Sequence, residues 1–148
     1  MTHQEVGTLR KLLVVAAAAL ALGGTSCRKN EPSLYPVSGK VMYKGAPAAG
    51  AAVFFNRQKQ ESLNEQLVMG LVQNDGSFEL VCGPWGKGAP LGDYNVLVEW
   101  KPVVAQRNGS PHRGPDKLNG RYANTSHPLL HATVEAKNNE LPPFELSD

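Results

Sequence analysis

Nowhere does this chain hold an apolar run long enough to cross a bilayer. Its longest, Leu12 to Leu22, is eleven residues, and as a helix it rises roughly 16 Å, about half of a hydrocarbon core near 30 Å. Cysteine is scarce as well. There are two, Cys27 and Cys82, so a stapled framework of several disulfides is excluded. Net charge is small, with 15 Lys and Arg against 13 Asp and Glu. That balance gives no electrostatic case for nucleic acid or for strong attraction to anionic lipid. Helical periodicity is missing from everything after Cys27, which removes the all-α and α/β classes. No Gly-x-Ser-x-Gly elbow occurs either, and no His/Asp partnership for a serine nucleophile can be traced.

What is present begins with an address. Arg10 and Lys11 make a basic start, the eleven apolar residues follow, and Gly23-Gly24-Thr25-Ser26 lead into Cys27. Basic start, short apolar core and small residues before a cut site describe a helical export signal over residues 1–26. Cys27 is then the first residue of the mature chain and the candidate for lipidation, with two or more acyl chains needed for stable anchoring. One departure is noted: Gly24 stands three residues before the cysteine, where a bacterial lipobox usually carries Leu. The competing reading pairs Cys27 with Cys82 in a disulfide, which requires cleavage upstream, after Ala21 or Gly23. Lipidation excludes that bond by consuming the thiol. Cys82 is then a small buried hydrophobe at a strand end. Residues 27–36 read as a tether reaching at most roughly 30 Å. Removal of the signal leaves 122 residues and a formal charge of +1, enough for one domain at 37–148.

That domain reads as strands. Val37, Gly39, Val41 and Tyr43 alternate with Ser38, Lys40, Met42 and Lys44, a period of two. Gly45-Ala46-Pro47 and Gly50 mark turns, and Ala51 to Phe55 is a second strand. Residues 57–66 form a polar loop, and Leu67 to Val72 a buried strand. Asn74-Asp75-Gly76 predicts a tight hairpin into Ser77 to Leu80. The stretch 83–92, rich in glycine and proline around Trp85, is a loop. Tyr94, Val96, Val98 and Trp100 point one way along the next strand, with Trp100 placed in the core. Residues 102–120 predict a long mobile excursion, and late strands fall at His131 to Ala136 and Phe144 to Leu146. The sum is an all-β fold, an antiparallel β-sandwich of about seven strands.

Four segments in this order resemble a known family: Gly39-Lys-Val41, then Gly45-Ala-Pro47-Ala-Ala-Gly50-Ala51-Ala-Val53, then Asn74-Asp75-Gly76-Ser77-Phe78, then Gly92-Asp93-Tyr94-Asn95-Val96. The family is the carboxypeptidase regulatory-like, or transthyretin-like (prealbumin-like, Ig-like), domain. Its pattern departs here at the hairpin, where Gln73-Asn74 stand for a leading threonine and aspartate. The closing segment, with Gly120-Arg121-Tyr122-Ala123, Ala132-Thr133-Val134 and Phe144-Glu145-Leu146, resembles small lipoproteins of the planctomycete type. The resemblance covers about Tyr35 to Leu146. It implies the sandwich fold and leaves the task open, because such folds serve many.

Candidate chemistry is thin. His127 and His131 are four apart, but Pro128 removes the helix on which that spacing aligns metal ligands; they read as loop or strand-edge residues, and His112 as part of a solvated loop. The resemblance brings to mind a hydrolase of 5-hydroxyisourate, whose relatives end in Tyr-Arg-Gly-Ser, yet this chain ends Phe144-Glu145-Leu146-Ser147-Asp148. It also implies comparison with intradiol dioxygenases, which bind iron through two Tyr and two His. Tyr122, His127 and His131 are near in sequence, but the chain lacks the length of such an enzyme. Trp85 has two readings: a ligand contact able to stack on a sugar, or a lid folded over one end of the sandwich. Arg107, Arg113, Lys117 and Arg121, interrupted by Asp116, read as a solvated face, and the triplets at Asn108 and Asn124 as chance glycosylation matches. The sequence therefore predicts a non-catalytic, exported module without metal or cofactor. Its expected partners are the membrane, through lipid on Cys27, and an envelope protein or polysaccharide.

Overall fold

Alternation sets the first strand. In the computed structural model β1 (Val37–Tyr43) buries Val37, Gly39 and Val41 on one face. It turns through Lys44-Gly45, whose φ values of 51° and 81° are the paired positive angles of a two-residue type I′ hairpin, into β2 (Ala46–Pro47). The structure describes residues 31–59, 66–105, 107 and 109–148. The signal segment 1–26, Cys27 and the start of the tether lie outside the described residues. Pro32–Asp148 form one compact unit.

The second sheet is laid down by β3 (Ala52–Arg57) and β4 (Val68–Leu71), which pair antiparallel with Phe55 opposite Val68. The chain then passes through β5 (Ser77–Glu79) and β6 (Val81–Cys82), a 3-10 turn at Gly83–Trp85, and β7 (Gly86–Lys87). β8 (Gly92–Glu99) is the longest strand and runs against β3 over six residue pairs. After it come β9 (Val103–Ala105) and β10 (Pro111–Arg113), then β11 (Leu130–Val134), β12 (Asn139–Glu140) and β13 (Phe144–Leu146). One sheet is centred on β1, flanked by β5 and β2 on one side and β12 and β13 on the other; the second has the order β11-β8-β3-β4-β6-β7. With β5–β6 and β12–β13 taken as one line each, β1, β3, β4, β8 and β11 correspond to the seven lines expected, and β2, β7, β9 and β10 are additional strands of two or three residues.

Three details depart from the sequence expectations. Asn74-Asp75-Gly76 does make a tight turn, with Gly76 N–H donating to Gln73 O at 3.0 Å and Ser77 N–H and Oγ donating to Asp75 Oδ1. The strands it joins, however, lie in different sheets: β4 pairs with β3 and β6, whereas β5 pairs with β1. The run 77–82 itself changes sheet at Leu80, whose side chain is buried between them. Second, β1 runs parallel to β12 and β13, so the sandwich is not antiparallel throughout. Third, the described residues of 102–120 carry strand pairing and side-chain bonds that residue order did not show. β9 and β10 pair antiparallel, and the Asp116 carboxylate accepts from the N–H groups of Trp100, Leu118 and Gly120 at 2.8, 3.2 and 2.8 Å.

The core is closed by a file of rings crossing from sheet to sheet. Tyr94 and Phe55 are 5.6 Å apart, Phe55 and Phe78 6.4 Å, and Phe78 and Phe144 6.2 Å. Room for Phe78 comes from two glycines. A Cβ on Gly39 would lie 2.9 Å from the Phe78 ring, and one on Gly70 would lie 2.8 Å from Glu79 O and 3.2 Å from the same ring. Trp100 closes the end where β1 finishes: it stands edge-on to Tyr43 at 5.6 Å, donates Nε1–H to Ala49 O at 2.9 Å, and carries the Lys117 ammonium 4.2 Å above its ring.

Candidate functional site

Trp85 occupies the tip of the β6–β7 hairpin. Its ring is half-buried and packs against the core cluster, the position that the lid reading describes. Its Nε1 is buried and has no hydrogen-bond partner. The glycines around it have positive φ: 43° at Gly83, 111° at Gly86 and 106° at Gly88. Gly88 is fixed by a close approach, since a Cβ there would stand 2.4 Å from Tyr35 O. Beneath the tip the backbone is held by Gly83 N–H to Leu67 O at 2.9 Å and Gly88 N–H to Leu80 O at 2.7 Å. Leu67 beside it is 55% exposed.

The histidines are dispersed. His127 is exposed in a bend whose backbone donates to Asn124 Oδ1. His131 lies on the outer face of β11, with Nδ1 3.0 Å from Asn95 Oδ1 and 3.4 Å from Gln58 Nε2. His112 is exposed on β10. Among the described residues, no group of three or more His, Cys, Asp and Glu side chains is placed to hold a metal ion. Tyr122 is buried, and its hydroxyl accepts from Ser147 N–H at 3.0 Å. Burial pushes that phenol up, but hydrogen bonds from Ser147 and Arg121 outweigh it and leave it below the ordinary tyrosine range. The structure therefore uses Tyr122 as a core post that ties down the last strand.

The basic run does not gather into one patch. Lys117 lies over Trp100 and Arg121 over Tyr122, while Arg107 and Arg113 are exposed on the β9–β10 excursion. Asp148 accepts from Tyr43 Oη and Lys44 Nζ, and the Lys44 bond, with that of Tyr43, holds its carboxyl below the usual range. This is a surface contact whose contribution is small and weakened by salt.

Among the described residues Cys82 makes no disulfide, and it is 1% exposed. Burial pushes it above the ordinary thiol range, opposed by the nearby Arg57 guanidinium. The fold thus favours the protonated form, a contribution fully present at neutral pH and lost as pH rises through the folded-state value. The thiol is expected to react with a maleimide at least tenfold more slowly in the native protein than in urea, since the thiolate is the nucleophile. Labelling followed by mass spectrometry measures this, and equal rates in the two conditions would contradict it.

No family model matches the chain, and no curated protein matches it. Among solved structures it is similar to a 9R-lipoxygenase from Cyanothece (14% identity, TM-score 0.45, covering 93% of this chain and 20% of that one). It is also similar to the major pilin subunit of Bacillus cereus (11% identity, TM-score 0.42, covering 78% and 30%). A DUF3823 family protein from Parabacteroides merdae matches at 13% identity and TM-score 0.41, covering 77% and 46%. The chain spans less than half the length of each of these proteins. At such scores the likenesses carry no argument about activity. What the fold defines is a β-sandwich. Among the described residues no helix is long and apolar enough to cross a membrane.

Proposed function

We propose that the protein is a non-catalytic, lipid-anchored, extracytoplasmic β-sandwich that acts as a structural or interaction module of the cell envelope. The observation that carries this reading is Cys82. The chain has two cysteines, and Cys82 is 1% exposed and enclosed by core side chains. That enclosure suits Cys82 to the role of a small buried hydrophobe, which supports acylation for Cys27, placed after a basic, apolar, small-residue leader. The lipid holds the module at the membrane, and the sandwich presents its loops to an envelope protein or polysaccharide. The segment order from Gly39 to Val96 supports placing it with carboxypeptidase regulatory-like lipoproteins of the planctomycete type.

Growth with an alkyne analogue of palmitate tests the anchor. The full chain is expected to incorporate the label and to enter the detergent phase, and Cys27→Ser to lose at least nine-tenths of the signal. Undiminished labelling of Cys27→Ser would sink the anchor.

A further inference from the structure

We infer that the β6–β7 tip is a lid, and that in its open position Trp85 stacks on a neutral glycan and donates its indole N–H to a sugar oxygen. The inference rests on the reading of the domain as an interaction module and names the partner class. The first support is the orphan donor. Nε1 of Trp85 is buried with no acceptor, whereas Trp100, the other tryptophan, places its Nε1–H on Ala49 O at 2.9 Å. A buried donor without a partner disfavours the closed position relative to any state that supplies an oxygen. The second support is the backbone. Gly83 and Gly86 bracket the ring at φ 43° and 111°, and a Cβ on Gly86 would meet nothing within 4 Å. Opening about these two residues gives up the Cys82–Gly86 ladder pair and leaves the bonds Gly83–Leu67 and Gly88–Leu80 in place.

The chemistry of the tip selects the ligand. Lys87 on β7 and Glu79 on β5 are bonded to each other at 2.8 Å, so neither of these two calls for an ionic partner. Beside the tip Leu67 offers apolar surface. An aromatic face, a donor at its edge and apolar surroundings match the C–H face and hydroxyl oxygens of a sugar ring. An extended peptide fits less well. β7 is the sheet edge at this point and is two residues long, too short for the ladder of bonds that strand addition needs.

The full chain labelled with 5-fluorotryptophan gives one fluorine resonance for each tryptophan, assigned with Trp85→Phe. Neutral oligosaccharides of glucose, N-acetylglucosamine and mannose are titrated as probes, with a valine-rich peptide as comparison. The expected result is a saturable shift of the Trp85 resonance with at least one sugar, no shift of Trp100, and an increased solvent-isotope effect at Trp85 on binding. Gly86→Ala strains the closed backbone without filling space. It is expected to raise the isotope effect at Trp85 without ligand and to lower the half-saturating sugar concentration several-fold. Trp85→Phe is expected to abolish sugar binding while keeping a melting temperature within about 3 °C of the parent, because the lost ring area is offset by removal of the orphan donor. A Trp85 resonance unmoved by every sugar, or moved by the peptide alone, overturns the inference, as does a Gly86→Ala variant identical to the parent. These readouts do not involve Cys27, so failure of the lid and failure of the anchor are separately visible.

Discussion

Phe78→Ala is expected to remove about 4 kcal/mol of stability, the loss typical of a fully buried phenylalanine. The ring is 1% exposed and sits in the file that joins Phe55 of one sheet to Phe144 of the other. Its removal leaves a cavity that the sheets cannot readily collapse, because the neighbouring positions are Gly39 and Gly70, which have no side chains to move in. For a domain with a stability of 5–15 kcal/mol, such a loss lowers the melting temperature by roughly 15 °C. Thermal and urea unfolding measure it. A loss under about 1.5 kcal/mol would place the ring outside the core. The converse substitution gives an internal check. Gly39→Ala brings a methyl to 2.9 Å from the ring and is expected to be destabilising. Combined with Phe78→Leu its effect should shrink, and the non-additivity reports the contact between the two positions.

Asn139→Ala is expected to cost about 3 kcal/mol, through polar groups rather than volume. Among the described residues Asn139 is the buried polar one, 5% exposed. Its Oδ1 accepts from Glu135 N–H at 2.9 Å, and its Nδ2 donates to Lys137 O at 2.8 Å, Glu135 O at 3.1 Å and Pro36 O at 3.3 Å. One amide thus closes the 135–138 turn and joins it to the segment entering β1. Alanine leaves those backbone groups without partners. Asn139→Asp should be worse and pH-dependent: an ionised carboxylate cannot donate to three carbonyls, so the variant loses stability as pH rises and the new group ionises. Urea midpoints at pH 4.5 and 7.5 measure this, and equal losses for Asn139→Asp at both would exclude the donor role of Nδ2.

These two residues mark where the sequence was readable and where it was not. Alternation from Val37 to Tyr43 and from Tyr94 to Trp100 shows which face of each strand is buried, because side chains alternate across a pleat. Asn74-Asp75-Gly76 shows a turn, because its conformation is set locally. Neither signal carries the identity of the partner strand. The crossing at Leu80, which sends β5 to β1 and β6 to β4, depends on contacts far apart in the chain and has no local mark. Gly39 and Gly70 look like ordinary strand residues until the Phe78 ring is placed between them. β12 is two residues long, and Asn139 lies in a polar stretch, Lys137-Asn138-Asn139-Glu140, with nothing to distinguish the buried asparagine from its neighbour. At the candidate site the sequence offered Trp85 with both its readings. The orphan state of Nε1 belongs to the packing of the tip and could not be read from residue order.

The parallel pairing of the first and last strands has a mechanical consequence. The chain enters β1 at the end where Tyr35 meets Ala89 and leaves β13 at the opposite end, beside Lys44. Tension applied between the two ends of the unit therefore runs along β1 and β13 in opposite senses. The bonds Asn139 N–H to Pro36 O, Leu141 N–H to Ser38 O and Lys44 N–H to Leu146 O share that load in shear and cannot be peeled one at a time.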